Sequence, residues 1–286
     1  MANSTTAASA GTVAGASRSD VASLLAIEVK IITPMTDAAQ LARFYEHAYS
    51  EDPAASAAHA RWRALGALGK ADHVVALCAR AGVSPSSTLD VGCGDGALLC
   101  ELRERRFGGR LHGVEISQAA VAIARERPQI DAVAVYDGVH LAADEGSYDL
   151  GILSHVLEHV PDPAALLAEV ARACRTVVLE VPLESNWSAR RAGRRAHAAE
   201  IGHLQRLDRR AARRIVSRAG LSVACELDDP LPREVQLFFA AGARARALAT
   251  AKSLVRNGLH RLAPSLARRL FTVHYACLCL PHDWRR

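Results

Sequence analysis

The chain has 286 residues, half of them hydrophobic, and a formal net charge of +5 at pH 7. That length suffices for one substantial core with appendages or for two small domains, and the composition is that of a globular, enzyme-sized protein. No apolar run reaches the roughly 18 to 20 residues of a membrane-spanning helix, so we expect no membrane span.

Two helices are predicted before the first strand. Apolar residues recur at helical spacing over Thr36–Tyr49 and Arg61–Ala81, with Asp37 in the first turn of one helix and Gly82 just past the other. We expect residues 36–85 to form a helical cap. The chain begins with a stretch rich in Ala, Ser, Thr and Gly and without a compact apolar block, which predicts a disordered tail over residues 1–35 rather than a secretory signal.

From Thr88 onward, short β-type runs alternate with helical stretches. This alternation predicts an α/β fold over residues 86–286, with a doubly wound, mostly parallel sheet and helices on both faces. Two less regular segments, about 182–207 and 232–269, are expected as insertions after the fifth and sixth strands. The predicted strands are Thr88–Gly92, Arg110–Ile116, Ile130–Tyr136, Tyr148–Ser154, Thr176–Val181, Leu221–Leu227 and Phe271–Leu280.

A glycine-rich turn follows the first predicted strand and opens the next helix, where doubly wound sheets bind nucleotide-like ligands. Gly92, Gly94 and Gly96 lack Cβ atoms, so the backbone can turn sharply and approach a ligand closely. Their spacing is G-x-G-x-G, whereas a dinucleotide fingerprint reads G-x-G-x-x-G. Asp90, in the preceding strand, is unfavourable beside a pyrophosphate but suits a ligand that carries an ammonium and a sulfonium.

Carboxylates also stand at the ends of the next two strands. Glu115 ends the second strand and can accept hydrogen bonds from both hydroxyls of a ribose. Asp137 and Gly138 end the third strand and could present a carboxylate to an exocyclic amine and a backbone N–H to a ring nitrogen. Taken singly, Glu115 or Asp137 could equally be a helix cap or a solvated turn residue. Three successive strand ends of this kind favour a common ligand.

These motifs, together with residues 147–150 and 154–163, resemble the ordered motifs of class I S-adenosylmethionine-dependent methyltransferases. The nearest subgroup is the one that includes ubiquinone-pathway O-methyltransferases. The resemblance covers about Ala71–Leu227 and implies a Rossmann-like fold with S-adenosylmethionine as the cofactor. It places Asp90 and the glycine loop at the methionine moiety, Glu115 at the ribose, and Asp137 with Gly138 at the adenine. It also places the strand end at Ser154 and His155 beside the sulfonium.

The full set of cofactor-binding residues that the resemblance implies comprises Asp90, Gly92, Cys93, Gly94, Gly96, Glu115, Ile116, Asp137, Gly138 and Ser154. Beyond Pro182 the similarity is loose, so it does not identify the substrate.

Histidines are the predicted catalytic residues. Methyl transfer from a sulfonium is an in-line displacement, and an alcohol or phenol acceptor loses its proton around the transfer. Histidine has an ordinary pKa suited to accepting that proton near neutral pH. His155, at the end of the fourth strand, and His203, in the segment leading back to the pocket, are the candidates, with packing as the alternative role. His159 is expected to be structural, bonding a loop carbonyl.

The expected function is methyl transfer to an oxygen, or less favourably a nitrogen, of a small-molecule acceptor. Residues 60–81 and 182–206 are expected to form walls over the pocket. The alternatives are a methyltransferase for a macromolecular or anionic acceptor (RNA, a glycan or a lipid carrier), a non-catalytic S-adenosylmethionine-binding protein, and an NAD-linked oxidoreductase. The oligomeric state is not predicted.

Nucleic acid and metal ions are not expected as partners. Arginines concentrate between Arg190 and Arg218, but no aromatic residues alternate with them as a nucleic-acid platform requires, so a solvated helix face is favoured. Some relatives near the ubiquinone branch hold a divalent ion in the turn after the fourth strand. This chain has His155 where they carry a carboxylate, which disfavours a hard, oxygen-preferring ion. No metal is therefore predicted.

The seven cysteines are scattered, without a C-x-x-C pair. This usage favours reduced, structural thiols in a cytoplasmic protein over a disulfide framework.

Overall fold

A computed structural model describes residues 38–49 and 53–282 of the chain. The predicted tail, residues 1–35, lies outside the described residues. All seven cysteines lie within them and are free thiols. Over this part of the chain, no helix combines the length and the apolarity needed to cross a membrane. The cytoplasmic location stays a prediction.

One mixed sheet of seven strands forms the centre of the fold. The strands are β1 (Ser87–Val91), β2 (Arg110–Glu115), β3 (Ala132–Val135), β4 (Tyr148–Ser154), β5 (Cys174–Pro182), β6 (Leu221–Asp229) and β7 (His274–Pro281). They lie in the order β3-β2-β1-β4-β5-β7-β6. Strands β1 to β5 pair in parallel, and β7 runs antiparallel between β5 and β6.

Helices cover both faces of this sheet. They are α1 (Ala38–Tyr49), α2 (Pro53–Ala81), α3 (Ala97–Glu104), α4 (Gln118–Arg125), α5 (Pro163–Ala173), α6 (Ala192–Glu200), α7 (Arg209–Arg218), α8 (Arg233–Leu237), α9 (Gly242–Leu262) and α10 (Pro264–Leu270). One apolar layer joins the sheet to α2, α3 and α4, and a second joins it to α5 and α7. The predicted doubly wound, mostly parallel α/β architecture is confirmed.

Some element bounds differ from the prediction for physical reasons. Helix α2 begins at Pro53 rather than Arg61, because the alanine-rich stretch before Arg61 has high helix propensity but no apolar stripe to reveal it. Strand β7 begins at His274 rather than Phe271, since the preceding residues leave helix α10 and turn toward the sheet.

Helix α2 is part of the core, although its sequence falls within the predicted cap of residues 36–85. Ala71, Val74 and Leu77 on one side of α2 are almost completely buried against the sheet. Leu68, on the same helix, is 43% exposed. The C-terminal half of α2 therefore forms one of the helical layers of the sheet, and the boundary at residues 85–86 stays a prediction.

Replacing Leu77 with alanine tests this packing. Leu77→Ala leaves a cavity between α2 and the sheet and should lower the free energy of unfolding by about 2–5 kcal/mol. Leu68→Ala, the matched control on the exposed side of α2, should change it by no more than about 0.5 kcal/mol. Urea denaturation followed by circular dichroism measures both. Equal, small effects of the two substitutions would show that α2 is not part of the cooperative core.

Candidate active site

A cavity of about 490 Å³ lies at the carboxyl ends of the parallel strands. Helix α2 and the segment after β5 also line it, which places residues 60–81 and 182–206 where the sequence analysis expects walls. The predicted site residues that line this cavity are Asp90, Gly92, Cys93, Gly94, Glu115, Ser154, His155 and His203. The other predicted residues, Gly96, Ile116, Asp137 and Gly138, lie outside its lining.

The glycine loop leaves no room for a side chain at two of its positions. Gly92 and Gly94 have φ angles of 76° and 55°, in the left-handed region that favours glycine. A Cβ atom at Gly92 would come within 2.6 Å of a Val156 methyl group, and one at Gly94 would clash with the hydroxyl of Tyr49. The loop can therefore keep its course and its close contacts only with glycine at these positions.

Two carboxylates next to this loop are withdrawn from water. Asp90 is 2% exposed, and burial raises its pKa to about 7, although the charge of Lys70 acts in the opposite direction. Burial also raises the pKa of Glu115. Glu115 accepts hydrogen bonds from the backbone N–H of Gly94 at 2.9 Å and of Ile116 at 2.7 Å, so it ties the loop to the end of β2. Both carboxylates are poised to gain from a nearby cation.

Asp137 sits in a local turn. Its carboxylate accepts hydrogen bonds from the backbone N–H groups of Val139 and His140 at 2.8 and 2.6 Å, and its side chain is 57% exposed. The N–H of His140 is the main cause that lowers the pKa of Asp137 to about 2. This is the turn geometry that the sequence analysis kept as an alternative, and Gly138, with φ 85°, completes the turn.

Helices α1 and α2 contribute side chains that the motif analysis did not include. Tyr45, Tyr49 and Arg63 line the cavity next to the glycine loop. The Arg63 guanidinium lies over the Tyr49 ring, 4.6 Å from its centroid, and its Nε donates to Asp95 at 2.9 Å. Tyrosine and arginine within predicted helices carry no local signal for a site, because only the tertiary packing brings them to the loop.

His155 occupies the turn after β4 with a left-handed backbone, φ 60°, that non-glycine residues seldom adopt. Its Nδ1 lies 3.1 Å from Glu158 Oε1, and its Nε2 lies 3.5 Å from Glu180 Oε1. Burial and the charge of Lys70 act to lower the pKa of His155, but contact with the two carboxylates outweighs them and raises it. The strained turn thus holds the imidazole between two buried carboxylates.

Glu180 is the centre of a cluster that the sequence analysis missed. It is a lone charged residue in the apolar run of β5, is 2% exposed, and lies within 3.5 Å of His73, His155 and His274. Burial would raise the pKa of Glu180, but the three nearby imidazoles lower it well below its ordinary range. A single acidic residue inside the apolar run of residues 177–181 was the available signal.

A second cluster lies deeper, around Glu158. His159 is nearly buried, and burial lowers its pKa to about 4. Its Nδ1 lies 3.1 Å from the carbonyl oxygen of Gly202, so the structure gives His159 the contact with a loop carbonyl that the sequence analysis expects. His203 lies against His159, with ring centroids 4.7 Å apart, and its Nδ1 is 2.7 Å from Glu184 Oε2. His203 therefore reaches the cavity from the segment after β5.

Comparison with known proteins identifies the family. A family model described as a methyltransferase domain matches residues 59–226, more than half of the chain. The chain belongs to this family. The predicted membership and the family's cofactor, S-adenosylmethionine, are thereby confirmed.

Curated relatives of this methyltransferase-family chain include ubiquinone biosynthesis O-methyltransferases. The enzyme of Pseudomonas paraeruginosa is 35% identical over 105 residues, which are 35% of this chain and 42% of the relative. The enzyme of Acinetobacter baylyi is 33% identical over 103 residues, 34% of this chain and 41% of the relative. The match thus spans about two fifths of the length of these relatives.

Solved structures show the same fold at low identity. Geranyl diphosphate C-methyltransferase from Streptomyces coelicolor matches with a TM-score of 0.55 and 17% identity, over 74% of this chain and 76% of the other. Phosphoethanolamine N-methyltransferase 2 of Haemonchus contortus matches with a TM-score of 0.51 and 15% identity, over 72% of this chain and 51% of the other. At this identity the likeness concerns the fold alone.

An Asp90 carboxylate that faces the ammonium of the cofactor, as the resemblance implies, should make cofactor affinity depend on pH through its raised pKa. In the free protein Asp90 is largely neutral below about pH 7, whereas a bound ammonium favours its ionised form, so binding releases a proton there. We expect the dissociation constant of S-adenosylhomocysteine to rise as pH falls below about 7, by up to about tenfold per pH unit.

Calorimetry from about pH 5 to about pH 8 measures this dependence. Asp90→Asn should bind the ligand more weakly and with a flatter pH profile. A wild-type profile that is level across this range, or identical profiles for the two proteins, would exclude Asp90 as the group that faces the ammonium.

Proposed function

We propose that this chain transfers the methyl group of S-adenosylmethionine to an oxygen of a small-molecule acceptor. The observation that carries the proposal is that one cavity joins the glycine loop, with Asp90 and Glu115, to a buried set of imidazoles and carboxylates around His155. The first part suits a cationic nucleoside ligand, and the second faces the point where an acceptor would meet it.

The cofactor contacts proposed here follow the order of the strands. Asp90 and the glycine loop hold the methionine moiety, and Glu115 accepts from the ribose hydroxyls. Asp137 and Gly138 meet the adenine at the outer end of the sheet. Ser154 Oγ is buried without a hydrogen-bond partner among the described residues, which supports a place beside the bound ligand.

The reaction needs alignment more than covalent chemistry. The acceptor oxygen attacks the methyl carbon, and the carbon–sulfur bond breaks with its electron pair moving to sulfur, which leaves S-adenosylhomocysteine. Positioning of the three reacting atoms on one line supplies up to about 7–11 kcal/mol of barrier reduction. We propose that His155 orients the acceptor hydroxyl and favours loss of its proton, and that His203 contacts the acceptor from the opposite wall.

Two observations support an oxygen on a small acceptor. The cavity volume of about 490 Å³ must hold both ligands, and it is typical of small-molecule sites. The relatives that match part of this chain are named O-methyltransferases. We propose a domain organisation in which residues 36–85 cover the cavity, with the C-terminal half of α2 also packed on the sheet, and the insertions at about 182–207 and 232–269 lie beside the acceptor.

A specific observation favours a second candidate, an acceptor that carries an anionic group. Arg256 lines the cavity from α9, and its Nε is buried without a hydrogen-bond acceptor among the described residues. Burial, followed by the charge of Arg194, lowers its pKa to about 10. A guanidinium whose Nε is buried without an acceptor gains most from a carboxylate or phosphate on the ligand.

Methyl transfer is tested with labelled S-adenosylmethionine and a panel of phenols, alcohols, amines, RNA and protein. We expect transfer to oxygen acceptors, and His155→Ala should lower kcat at least about tenfold while changing cofactor affinity little, because the lost contact lies on the acceptor side. His282→Ala, an exposed histidine outside the cavity, is the matched control. Transfer to macromolecules alone, or cofactor binding without transfer to any acceptor, would refute the proposal.

Arg256→Gln tests the anionic candidate. For acceptors with a carboxylate or phosphate, KM should rise about tenfold or more, since a charge-assisted hydrogen bond is worth about 1.5–3 kcal/mol. KM for neutral acceptors should hardly change. Arg261→Gln, an exposed arginine of the same helix, controls for loss of surface charge. A shift that is equal for neutral and anionic acceptors would argue against recognition of an anionic group.

A further inference from the structure

Three ligand-type atoms from different elements form a nearly equilateral triangle on the acceptor side of the cavity. His155 Nε2 and His274 Nδ1 lie 3.3 Å apart. Glu180 Oε1 is 3.5 Å from the first nitrogen and 3.3 Å from the second. The three residues come from the turn after β4, from β5 and from the start of β7.

This triangle has the size of one face of a tetrahedral metal site. Zinc binds imidazole nitrogen and carboxylate oxygen at about 2.0–2.2 Å. Tetrahedral geometry with bonds near the lower end of that range separates the ligand atoms by about 3.3–3.4 Å. From this agreement we infer that His155, Glu180 and His274 bind a divalent transition-metal ion, with Zn²⁺ as the ion that the ligands suit best.

The hydrogen bonding of Glu180 supports an ion bound between its carboxylate and the two imidazoles rather than direct ion pairs between these side chains. Glu180 Oε1 is buried and, although two imidazole nitrogens lie near it, it accepts no well-aligned hydrogen bond from the described residues. The nitrogens His155 Nε2 and His274 Nδ1 face each other at 3.3 Å. When both carry a proton, or when both lack one, they cannot form a hydrogen bond with each other. An ion between the three atoms satisfies all of them at once.

Charged and polar groups lie beside the outer atoms of two of the ligands, where the outer partners of metal sites lie. His155 Nδ1, the nitrogen that faces away from the triangle, lies 3.1 Å from the buried Glu158 carboxylate. Glu180 Oε2, the other oxygen of the ligand carboxylate, lies 3.1 Å from His73 Nδ1, and Asp229 lies on the far side of that imidazole. A carboxylate on the second nitrogen of a ligating histidine fixes its tautomer and its orientation.

The ligand set selects the ion and leaves room for the acceptor. Imidazole donors favour zinc over magnesium or calcium, which prefer oxygen ligands. Three protein ligands leave the fourth position of a tetrahedral zinc site for a water or a substrate oxygen, and all three residues line the cavity. The role of the ion rests on the proposed function. An acceptor hydroxyl at this position would lose its proton more readily, because the ion favours the alkoxide or phenolate form.

Metal binding is measured on the tag-free chain, independently of turnover. The protein is stripped with a chelator, dialysed against ZnCl2 and analysed for bound metal, and its affinity is determined by competition with a chromogenic chelator. We expect one Zn²⁺ per chain. Co²⁺ in place of Zn²⁺ should give the intense visible absorption of a low-coordinate cobalt site.

Substitutions locate the ion. Loss of an outer partner costs about 10–100-fold in metal affinity, which is the effect expected for Glu158→Gln. Glu180→Gln and His274→Asn remove a ligand, and each should weaken Zn²⁺ binding by more than that. His282→Asn should bind like wild type. His203→Asn should also bind normally, although His203, His159 and Glu158 form another grouping of possible ligand atoms among the described residues. Circular dichroism and thermal melting identify any variant that fails to fold.

Three results would overturn the inference. The first is that the stripped wild-type chain takes up no more Zn²⁺ than the His274→Asn variant. The second is that the folded Glu180→Gln and His274→Asn proteins retain wild-type affinity. The third is that His203→Asn alone loses the ion. Each of these can occur whether or not the chain methylates the acceptors tested, because none uses activity as its readout. Conversely, one bound Zn²⁺ with no methyl transfer would sustain the site and refute the proposed function.

Discussion

The parallel register of β1, β2, β4 and β5 is the constraint on which the candidate site depends. Because these strands run in the same direction, their carboxyl ends open at one edge, where Ser154 pairs with Glu180 and the residues after Val91 and Val114 lie side by side. The pairing of these strands brings together the short polar segments that follow them. Helices pack on both faces of the sheet. The carboxylates Asp90, Glu115 and Glu180 at these strand ends are buried.

Because of this burial, different regions of the cavity favour ligand groups of different charge. Asp90 and Glu115 are carboxylates whose ionised forms burial disfavours, so they gain when a cation arrives. Around Glu180 the balance is reversed, since three imidazoles already favour its charge. On the α9 side, the Arg256 Nε lacks an acceptor. A ligand set that is cationic next to the glycine loop and anionic toward α9 would complement this distribution.

The sequence predicted the fold and the loop-borne part of the site because both are encoded locally. Alternating strands and helices, the G-x-G-x-G spacing and Glu115 at a strand end are all readable within short windows, and the structure places them as expected. The bounds of α2 were misjudged because helix propensity without an apolar stripe leaves no periodic signal. Asp137 was ambiguous for a similar reason, since a turn and a ligand contact use the same residue type.

On the other side of the cavity, His155 and His203 were predicted from the sequence, but the cluster around Glu180 was not predictable from short windows. His155 and His274 are separated by 119 positions in the chain, and His73 and Glu180 by 107. No spacing rule links residues from a helix, two strands and a turn that meet only after the sheet forms. Glu180 within an apolar strand was a readable anomaly, but its partners depend on which strand pairs with β5.

The strand that pairs with β5 is β7, which is made after β6 yet lies between β5 and β6 in the sheet. During synthesis, β6 therefore has no neighbour in the sheet until residues 274–281 leave the ribosome. The glycine loop and its carboxylates belong to elements that can already have packed by then. His274 arrives with β7, so the glycine loop can form before the cluster around Glu180 is complete, and the two parts of the cavity come together only when β7 joins the sheet.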